Sequence, residues 1–220
     1  MVLLFSIDGN IGSGKSTLLR HVSNMVNSHC LGEYANDYEV VFLQEPVDEW
    51  MGIKDKNGRS VISLFYEDQK RYAFSFQMMA YISRLDLLKK IMDTSKKVVV
   101  LSERSVHTDK YVFAKMLYDS DIMTDVEYQI YNKWFDSFIS EIHMQGVIYL
   151  KTDPENCQKR VQQRSRDGEV MDLRYLESCH AYHDEYVKRF RLLELDGNRP
   201  FDEMKDALNL KSKSGIHRLI

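Results

Sequence analysis

A glycine-rich stretch close to the N-terminus, GNIGSGKS at positions 9–16, has the residue types and the spacing of a phosphate-binding loop. Glycines let the backbone turn so that its N–H groups converge on phosphate oxygens at the positive end of the following helix. The Lys15 ammonium can reach the β- and γ-phosphates, and the Ser16 hydroxyl can ligate Mg²⁺. The stretch therefore predicts a site for a nucleoside triphosphate with Mg²⁺. The residues assigned to this site are Gly9, Asn10, Ile11, Gly12, Ser13, Gly14, Lys15, Ser16 and Thr17.

Two carboxylates and an arginine follow two other apolar runs, where strands of a parallel sheet would end. Glu45 comes directly after YEVVFLQ, and Glu103 and Arg104 come directly after KKVVVLS. Ligands of parallel sheets bind beyond the carboxyl ends of the strands, so these side chains should share one sheet edge with the phosphate loop. Glu45 could accept a proton from a bound hydroxyl there. Glu103 could hold Mg²⁺ directly or through water, and Arg104 could offset charge on a transferring phosphate.

A sheet must position these residues, and five short apolar runs have the character of buried strands. The predicted strands are Val2–Ile7, Glu39–Gln44, Lys97–Ser102, Val147–Lys151 and Leu192–Leu195. Segments of helical character separate them, which favours an α/β fold with a parallel sheet and helices on both faces. The stretch between Arg59 and Gln145 has neither glycine nor proline, so we expect it to be helical apart from the third strand. The polar cluster Asp119–Asp125 should separate two helices within it.

Five motifs, in this order, resemble those of the deoxynucleoside kinases, enzymes that transfer the γ-phosphate of ATP to the 5′-hydroxyl of a deoxynucleoside. The motifs are GNIGSGKS, EPVDEW, YAFSFQ, ERSVHTDKYVF and RVQQRSRDGE. The resemblance extends from the first predicted strand to LELDGNRPF, which is nearly the whole chain. It implies a phosphate-loop kinase with a five-stranded parallel sheet, an arginine-rich mobile lid, Mg²⁺ with ATP as the phosphate donor, and a homodimer.

The resemblance also implies roles for individual residues. Glu45 would be the base on the 5′-hydroxyl, and Arg104 would hold that hydroxyl and the incoming phosphate. The other implied contacts are Trp50 as a wall of the sugar and base pocket, Gln77 on the base edge, Phe113 on the base face, and Tyr66 and Glu169 on the 3′-hydroxyl.

One helix over Val61–Asp93 would place Tyr66, Gln77 and Arg84 on the same face, because their separations of 11 and 7 residues fit the helical period. A kink near Asp68 would remove Tyr66 from that face. Gln77 and Arg84 are therefore the pair whose common orientation follows from the pattern alone.

The stretch CQKRVQQRSRDGE carries Arg160, Arg164 and Arg166, the first two one helical turn apart. In an unrelated protein such a run would be a solvated helix face. The resemblance assigns the three arginines to a lid that closes over the phosphates of ATP and excludes water. Exclusion of water matters, because an open site would hydrolyse ATP instead of phosphorylating the nucleoside.

Arg84 and Asp109 bear on the choice of base. In the family, an arginine and an aspartate at these places accompany deoxycytidine or purine deoxynucleosides, whereas relatives that accept thymidine tend to carry apolar or small residues. A carboxylate held by an arginine can accept a hydrogen bond from an exocyclic amino group, which thymine lacks. We therefore expect deoxycytidine or a purine deoxynucleoside to be preferred over thymidine.

The composition of the 220-residue chain, with 44% hydrophobic and 29% charged residues, is typical of a globular protein. A formal net charge of −3 does not favour nucleic acid as a partner. No apolar stretch approaches the roughly 20 residues needed to cross a bilayer. Because the first strand begins almost at once, no leader is expected, and a cytoplasmic location is predicted.

We expect a single kinase domain over residues 1–208 and a loosely held tail at 209–220.

Two other classes of protein remain open. A nucleoside monophosphate kinase, such as thymidylate kinase, shares the phosphate loop and the lid arginines, but it would need cationic groups around the acceptor phosphate, where this chain has Glu45. A non-catalytic nucleotide-binding protein, such as a GTPase-like switch, would need D-x-x-G and N-K-x-D motifs, where this chain offers SERS and NKWF.

Overall fold

The computed structural model describes residues 1–25, 38–93, 96–139, 142–164, 169 and 171–208. Within these ranges there is one five-stranded sheet. Its strands are β1 (Val2–Asp8), β2 (Glu39–Leu43), β3 (Val98–Glu103), β4 (Met144–Lys151) and β5 (Leu192–Asp196). Their order is β2-β3-β1-β4-β5, and every neighbouring pair is parallel. The predicted five-stranded parallel sheet is confirmed.

The predicted strand positions agree closely with those observed. The largest difference is at β4, which begins at Met144 instead of Val147. Its first residues pair with β1, and the register shifts between Leu4 and Phe5 to accommodate them. A glycine at position 146 lies in this segment and made it look less strand-like in the sequence.

Helices connect the strands. They are α1 (Lys15–Met25), α2 (Val47–Gly52), α3 (Val61–Glu67), α4 (Gln69–Met92), α5 (Val106–Thr108), α6 (Lys115–Asp119), α7 (Asp125–Phe138), α8 (Pro154–Arg164), α9 (Leu173–Val187) and α10 (Phe201–Leu208). A π-helical segment, Asp109–Ala114, joins α5 to α6. The expected break between two helices near Asp119–Asp125 is confirmed, since α6 ends at Asp119 and α7 begins at Asp125.

The helical stretch considered over Val61–Asp93 is interrupted at Asp68, where a kink was the stated alternative. The backbone N–H of Asp68 donates to the Leu64 carbonyl and closes α3. Its side chain accepts from the N–H of Arg71 at 3.2 Å and opens α4. A short polar side chain that caps the backbone in this way competes with a continuous helix. As a result, Tyr66 lies on a different helix from Gln77.

Helices cover both faces of the sheet, as predicted. Successive strand residues point to opposite faces. Leu4 of β1 packs in a buried cluster with Tyr81 and Leu85 of α4, whereas its neighbour Phe5 packs in another with Leu18 of α1. Both faces are therefore apolar, which explains why the strands read as continuous apolar runs.

Two further expectations concern membrane-spanning segments and the C-terminal tail. In the described part of the chain, no helix combines the length and the apolar character needed to span a bilayer. The predicted tail, residues 209–220, lies outside the described residues.

The phosphate loop is pressed against α8 at one glycine. Gly12 has a φ of +80°, and a Cβ atom placed there would lie 2.4 Å from the carbonyl oxygen of Cys157 and 2.9 Å from a Val161 methyl carbon. Gly58 has almost the same backbone, with a φ of +83°, but nothing lies within 4 Å of its would-be Cβ. A side chain at Gly58 would therefore meet backbone strain alone, whereas a side chain at Gly12 would meet backbone strain and a steric clash with α8.

Replacement of each glycine by alanine should reveal this difference. Gly58→Ala should lower the free energy of unfolding by about 1 kcal/mol through the left-handed backbone alone. Gly12→Ala should lower it by about 2 kcal/mol more, because the added methyl group must displace the α8 backbone. Urea unfolding of both variants measures the two losses. Equal losses would contradict this view of the loop, because they would mean that it can move away from α8 freely.

Candidate active site

A cavity of about 770 Å³ opens at the edge of the sheet where β1, β2 and β3 end. A volume of this size suits a small-molecule ligand. Six of the nine predicted loop residues line it: Ile11, Gly12, Gly14, Lys15, Ser16 and Thr17. The other three lie behind the loop surface. The Asn10 amide donates to the Leu176 carbonyl at 2.8 Å, which ties the loop to α9, and the Gly9 and Ser13 carbonyls accept from arginines.

Lys15 is buried, and its ammonium donates to the Asn10 carbonyl at 2.6 Å. Burial lowers the pKa of Lys15 to about 8, Arg104 adds to this effect, and the carboxylates of Glu103 and Glu45 oppose it. The side chain is therefore a cation near neutral pH that has little water around it. A phosphate group beside it would restore the stability of the charged form.

Glu103 and Ser16 lie together next to Lys15, as predicted for a metal site. The Ser16 hydroxyl donates to the Glu103 carboxylate at 2.8 Å, and the carboxylate is buried. No group of three or more His, Cys, Asp or Glu side chains within the described ranges could hold a metal ion. Mg²⁺ in nucleotide enzymes commonly uses one or two protein oxygens, with phosphates and water as its other ligands. One carboxylate and one hydroxyl fit that pattern.

Glu45 lies across the cavity mouth from the loop, held by two arginines. Arg104 Nη1 donates to Glu45 Oε1 at 2.7 Å, and Arg84 Nη2 donates to the same oxygen at 3.2 Å. Burial alone would raise the pKa of the Glu45 carboxyl. The two arginines outweigh burial and, together with Lys15, hold that pKa at about 2. Glu45 is therefore ionised throughout the neutral range, and one of its oxygens is engaged by both cations.

The predicted base-binding end of the cavity is organised around Arg84. Besides Glu45, its guanidinium donates to Asp109 Oδ2 at 3.0 Å and to the Glu103 carbonyl at 2.7 Å. Burial raises the pKa of Asp109, and the adjacent Arg84 opposes that rise. The π-helical segment carries both Asp109 and Phe113 into the cavity lining. Such segments are rare and are frequent at functional sites.

The predicted wall and the predicted base-edge contact lie side by side on the same cavity. Trp50 Nε1 donates to the Ser83 hydroxyl at 2.9 Å, which holds the indole against the ring of Phe76. Gln77 is buried, and its Oε1 atom has no hydrogen-bond partner among the described residues. A buried acceptor without a partner costs free energy, so the cavity offers Gln77 to a ligand donor.

Tyr66 and Glu169, the residues expected at the 3′-hydroxyl, both line the cavity. Tyr66 does so from α3, although the break at Asp68 separates it from Gln77 on α4. Burial raises the pKa of the Tyr66 phenol, and the charge of Glu169 adds to that rise. Glu169 forms an ion pair with Arg164. The structure therefore brings the two residues to the same end of the cavity.

The three lid arginines differ in what they contact. Arg160 donates to the carbonyls of Ser13 and Gly197, both at 2.9 Å, and so braces the phosphate loop. Arg164 lies at the cavity, paired with Glu169. Arg166 lies outside the described residues, and the lid stays a prediction.

Three of the residues at the site that sequence reasoning missed have a clear structural role. Tyr175 lines the cavity from α9, Ser83 holds the indole of Trp50, and Asp8 is fully buried directly before the phosphate loop. Only Asp8 left a signal in the sequence, as an acidic residue at the end of an apolar strand. Ser83 and Tyr175 are ordinary helix residues whose role depends on what packs against them.

The sequence of this chain is similar to those of several known proteins. A sequence profile of the family described as deoxynucleoside kinase matches residues 5–212. Deoxycytidine kinase from Bos taurus is 33% identical over 97% of this chain and 91% of its own length, and that from Homo sapiens has the same values. Mitochondrial thymidine kinase 2 from Homo sapiens is 34% identical over 82% of this chain and 63% of its own length.

The profile covers nearly the whole chain, and the named relatives are kinases that align with most of it. The chain belongs to the deoxynucleoside kinase family and is an ATP-dependent phosphotransferase.

Proposed function

We propose that this enzyme transfers the γ-phosphate of ATP to the 5′-hydroxyl of a deoxynucleoside, and that it prefers deoxycytidine or a purine deoxynucleoside to thymidine. One observation carries the proposal. The ionised Glu45 carboxylate is held by Arg104 and Arg84 in the same cavity as Lys15 of the phosphate loop. An acceptor hydroxyl at Glu45 would face a donor phosphate at the loop.

Glu45 is proposed as the group that orients the 5′-hydroxyl and takes its proton. With a pKa of about 2, it is a ready hydrogen-bond acceptor but a weak base. Phosphoryl transfer commonly passes through a loose transition state, in which little charge has yet moved from the attacking oxygen. A weak base suffices there, because the hydroxyl becomes strongly acidic only once its bond to phosphorus has formed.

The positive charges of the site are proposed to act on the donor. Lys15 would contact the β- and γ-phosphates, and Arg104 would stabilise the charge on the transferring group. Ser16 and Glu103 would hold Mg²⁺, which supplies charge neutralisation at the phosphates when it is bound. Arg160, Arg164 and Arg166 would close over them, and the hydrogen bond from Arg160 to the Ser13 carbonyl of the loop supports a role for α8 in that closure.

The acceptor contacts follow from the cavity lining. Gln77 would hydrogen-bond the base edge, Phe113 would stack on its face, and Trp50 would form the wall. Tyr66 and Glu169 would hold the 3′-hydroxyl. All five line the cavity, which supports the assignment.

The preference for an amino-bearing base rests on Asp109. Its carboxylate is directed by Arg84 and lies at the cavity lining, so it can accept from an exocyclic amino group. Thymine would place a carbonyl oxygen or a methyl group there. The relatives named deoxycytidine kinase agree with this preference, although one similar protein is named a thymidine kinase.

A homodimer is the final part of the proposal. Four large apolar side chains of α7 are exposed at intervals of four residues and form one stripe. They are Val126, Ile130, Trp134 and Phe138, with exposures of 65, 42, 45 and 36%. Ile82 of the adjacent α4 is also exposed. An apolar stripe of this extent is typical of a protein interface, and a second copy of this chain would bury it.

A panel of acceptors tests the reaction. ATP consumption with deoxycytidine, deoxyadenosine, deoxyguanosine, thymidine and thymidine monophosphate is compared with a control without acceptor. At least one amino-bearing nucleoside should exceed thymidine by about tenfold or more in kcat/KM, because thymine has no amino group to donate to the buried Asp109 carboxylate. A preference for thymidine would refute the Asp109 argument. Turnover with the monophosphate alone would establish a monophosphate kinase instead.

Glu45→Gln tests the base. The amide keeps the size of the side chain but cannot take the proton, so kcat should fall by about 100-fold or more while nucleoside affinity changes little. Glu49→Gln is the matched control, since it removes the same charge from the exposed face of the next helix. Calorimetry gives the affinity and initial rates give kcat. Turnover close to that of the unaltered enzyme would overturn the role of Glu45.

The dimer is tested by light scattering on Ile130→Glu. The unaltered protein should have the mass of two chains, and the variant that of one, because a charge in the stripe would have to be buried. Ile53→Glu is the control, since Ile53 is 46% exposed, about as much as Ile130, but lies outside the stripe. A dimer that survives Ile130→Glu would place the interface elsewhere.

A further inference from the structure

The backbone of Arg104 has a conformation that its residue type disfavours. Its φ is +59°, in the left-handed region, which non-glycine residues seldom occupy. Such a residue persists only where the surrounding structure holds it there. Two guanidinium nitrogens of Arg104 donate to Glu45 and to the Gly9 carbonyl, whereas Nε has no hydrogen-bond partner among the described residues.

Both backbone polar groups of Arg104 are held by neighbouring strands. Its N–H donates to the carbonyl of Ile7 at 3.0 Å, and its carbonyl accepts from the Ser102 hydroxyl at 2.6 Å. The chain then turns at once into α5, where Ser105 and Thr108 cap each other. The Ser105 N–H donates to Thr108 Oγ1, and the Thr108 N–H donates to Ser105 Oγ, both at 3.2 Å.

This cap is anchored to a buried carboxylate at the end of β1. The Thr108 hydroxyl donates to Asp8 Oδ1 at 2.6 Å, and the Ser6 hydroxyl donates to Asp8 Oδ2. Asp8 has no exposed surface, and the same is true of Ser105 and Thr108. In its ionised form Asp8 only accepts, so the single proton of Thr108 is committed to it.

The hydrogen bond from Thr108 to Asp8 determines which group is the donor in the two neighbouring hydrogen bonds. With Asp8 ionised, Ser105 Oγ, which lies 3.0 Å from Thr108 Oγ1, donates to Thr108. The Tyr186 hydroxyl, 3.1 Å from Ser105 Oγ, then donates to Ser105. In that state a chain of hydrogen bonds runs from Tyr186 on α9 to Asp8 at the end of β1, and it includes Ser105, the residue after Arg104.

We propose that Asp8 and Thr108 are positioning residues for Arg104. Their hydrogen bond fixes the turn at Ser105, which holds Arg104 in its left-handed conformation and so places the guanidinium on Glu45, 2.7 Å away, and over the ring of Phe113, 5.0 Å away. The inference rests on the proposed function, in which Arg104 acts on the transferring phosphate. It adds two residues that contact no reacting atom.

Thr108→Val removes the hydroxyl and keeps the shape of the side chain. With the best nucleoside of the acceptor panel, kcat should fall by about tenfold or more, since a displacement of about 1 Å in a catalytic group can cost on the order of 100-fold. Thr108→Ser should restore most of the rate. Thr124→Val is the matched control, because Thr124 forms the same kind of cap on α7 and should leave kcat unchanged.

The same substitution in an Arg104→Lys background separates positioning from general destabilisation. If Thr108 acts through Arg104, Thr108→Val should change kcat less than about twofold in that background. Equal effects in both backgrounds would overturn the proposal.

A second readout does not depend on catalysis. The Arg104 guanidinium lies over the Phe113 ring. The NMR resonance of its Nε–H, assigned by its loss in Arg104→Lys, should therefore move in Thr108→Val. Tyr186→Phe removes the hydroxyl group that lies farthest from Asp8 in this series of hydrogen bonds. It should move the Arg104 Nε–H resonance in the same direction by a smaller amount, and it replaces Thr108→Val in this test if that variant does not fold. An unmoved resonance in the folded variants would overturn the positioning role. Absence of turnover by the unaltered protein would instead refute the proposed function, and the resonance would still test the positioning.

Discussion

The ion pair between Glu45 and two arginines is the interaction on which this site depends. All three side chains are largely removed from water, where an unpaired charge would be costly. Arg104 follows β3, Arg84 lies in the middle of α4, and Glu45 follows β2. The pairing therefore joins three separate elements at one point, and it holds the pKa of the Glu45 carboxyl at about 2, well below its usual range.

The parallel sheet is what makes this arrangement possible. Since β1, β2 and β3 run in the same direction, the residues after each of them reach the same edge. Lys15, Glu45 and Arg104 therefore face one cavity although long stretches of chain separate them. Their charges also shape one another: the carboxylates oppose the fall in the pKa of Lys15, and Lys15 helps to lower that of Glu45.

Irregular backbone places several of the side chains that regular helices would misdirect. Asp68 divides one predicted helix into two, and both parts still contribute to the cavity. The π-helical segment brings Asp109 and Phe113 to the base end, and the left-handed Arg104 turns the chain from β3 into α5. Each irregularity lies close to a residue assigned to substrate, and the strained backbone of Arg104 is held by hydrogen bonds to Ile7 and Ser102.

The sequence by itself determined the five strands, the phosphate loop and the carboxylate and arginine at the strand ends, because apolar periodicity and glycine spacing are local properties. It also carried the resemblance that predicted Trp50 and Gln77. Only the tertiary structure shows that Arg84 contacts Glu45 as well as Asp109, that Ser83 holds Trp50, and that Asp8 is joined to Thr108. Those contacts join residues far apart in the chain, and hydrogen bonds between distant side chains leave no periodic pattern in a sequence.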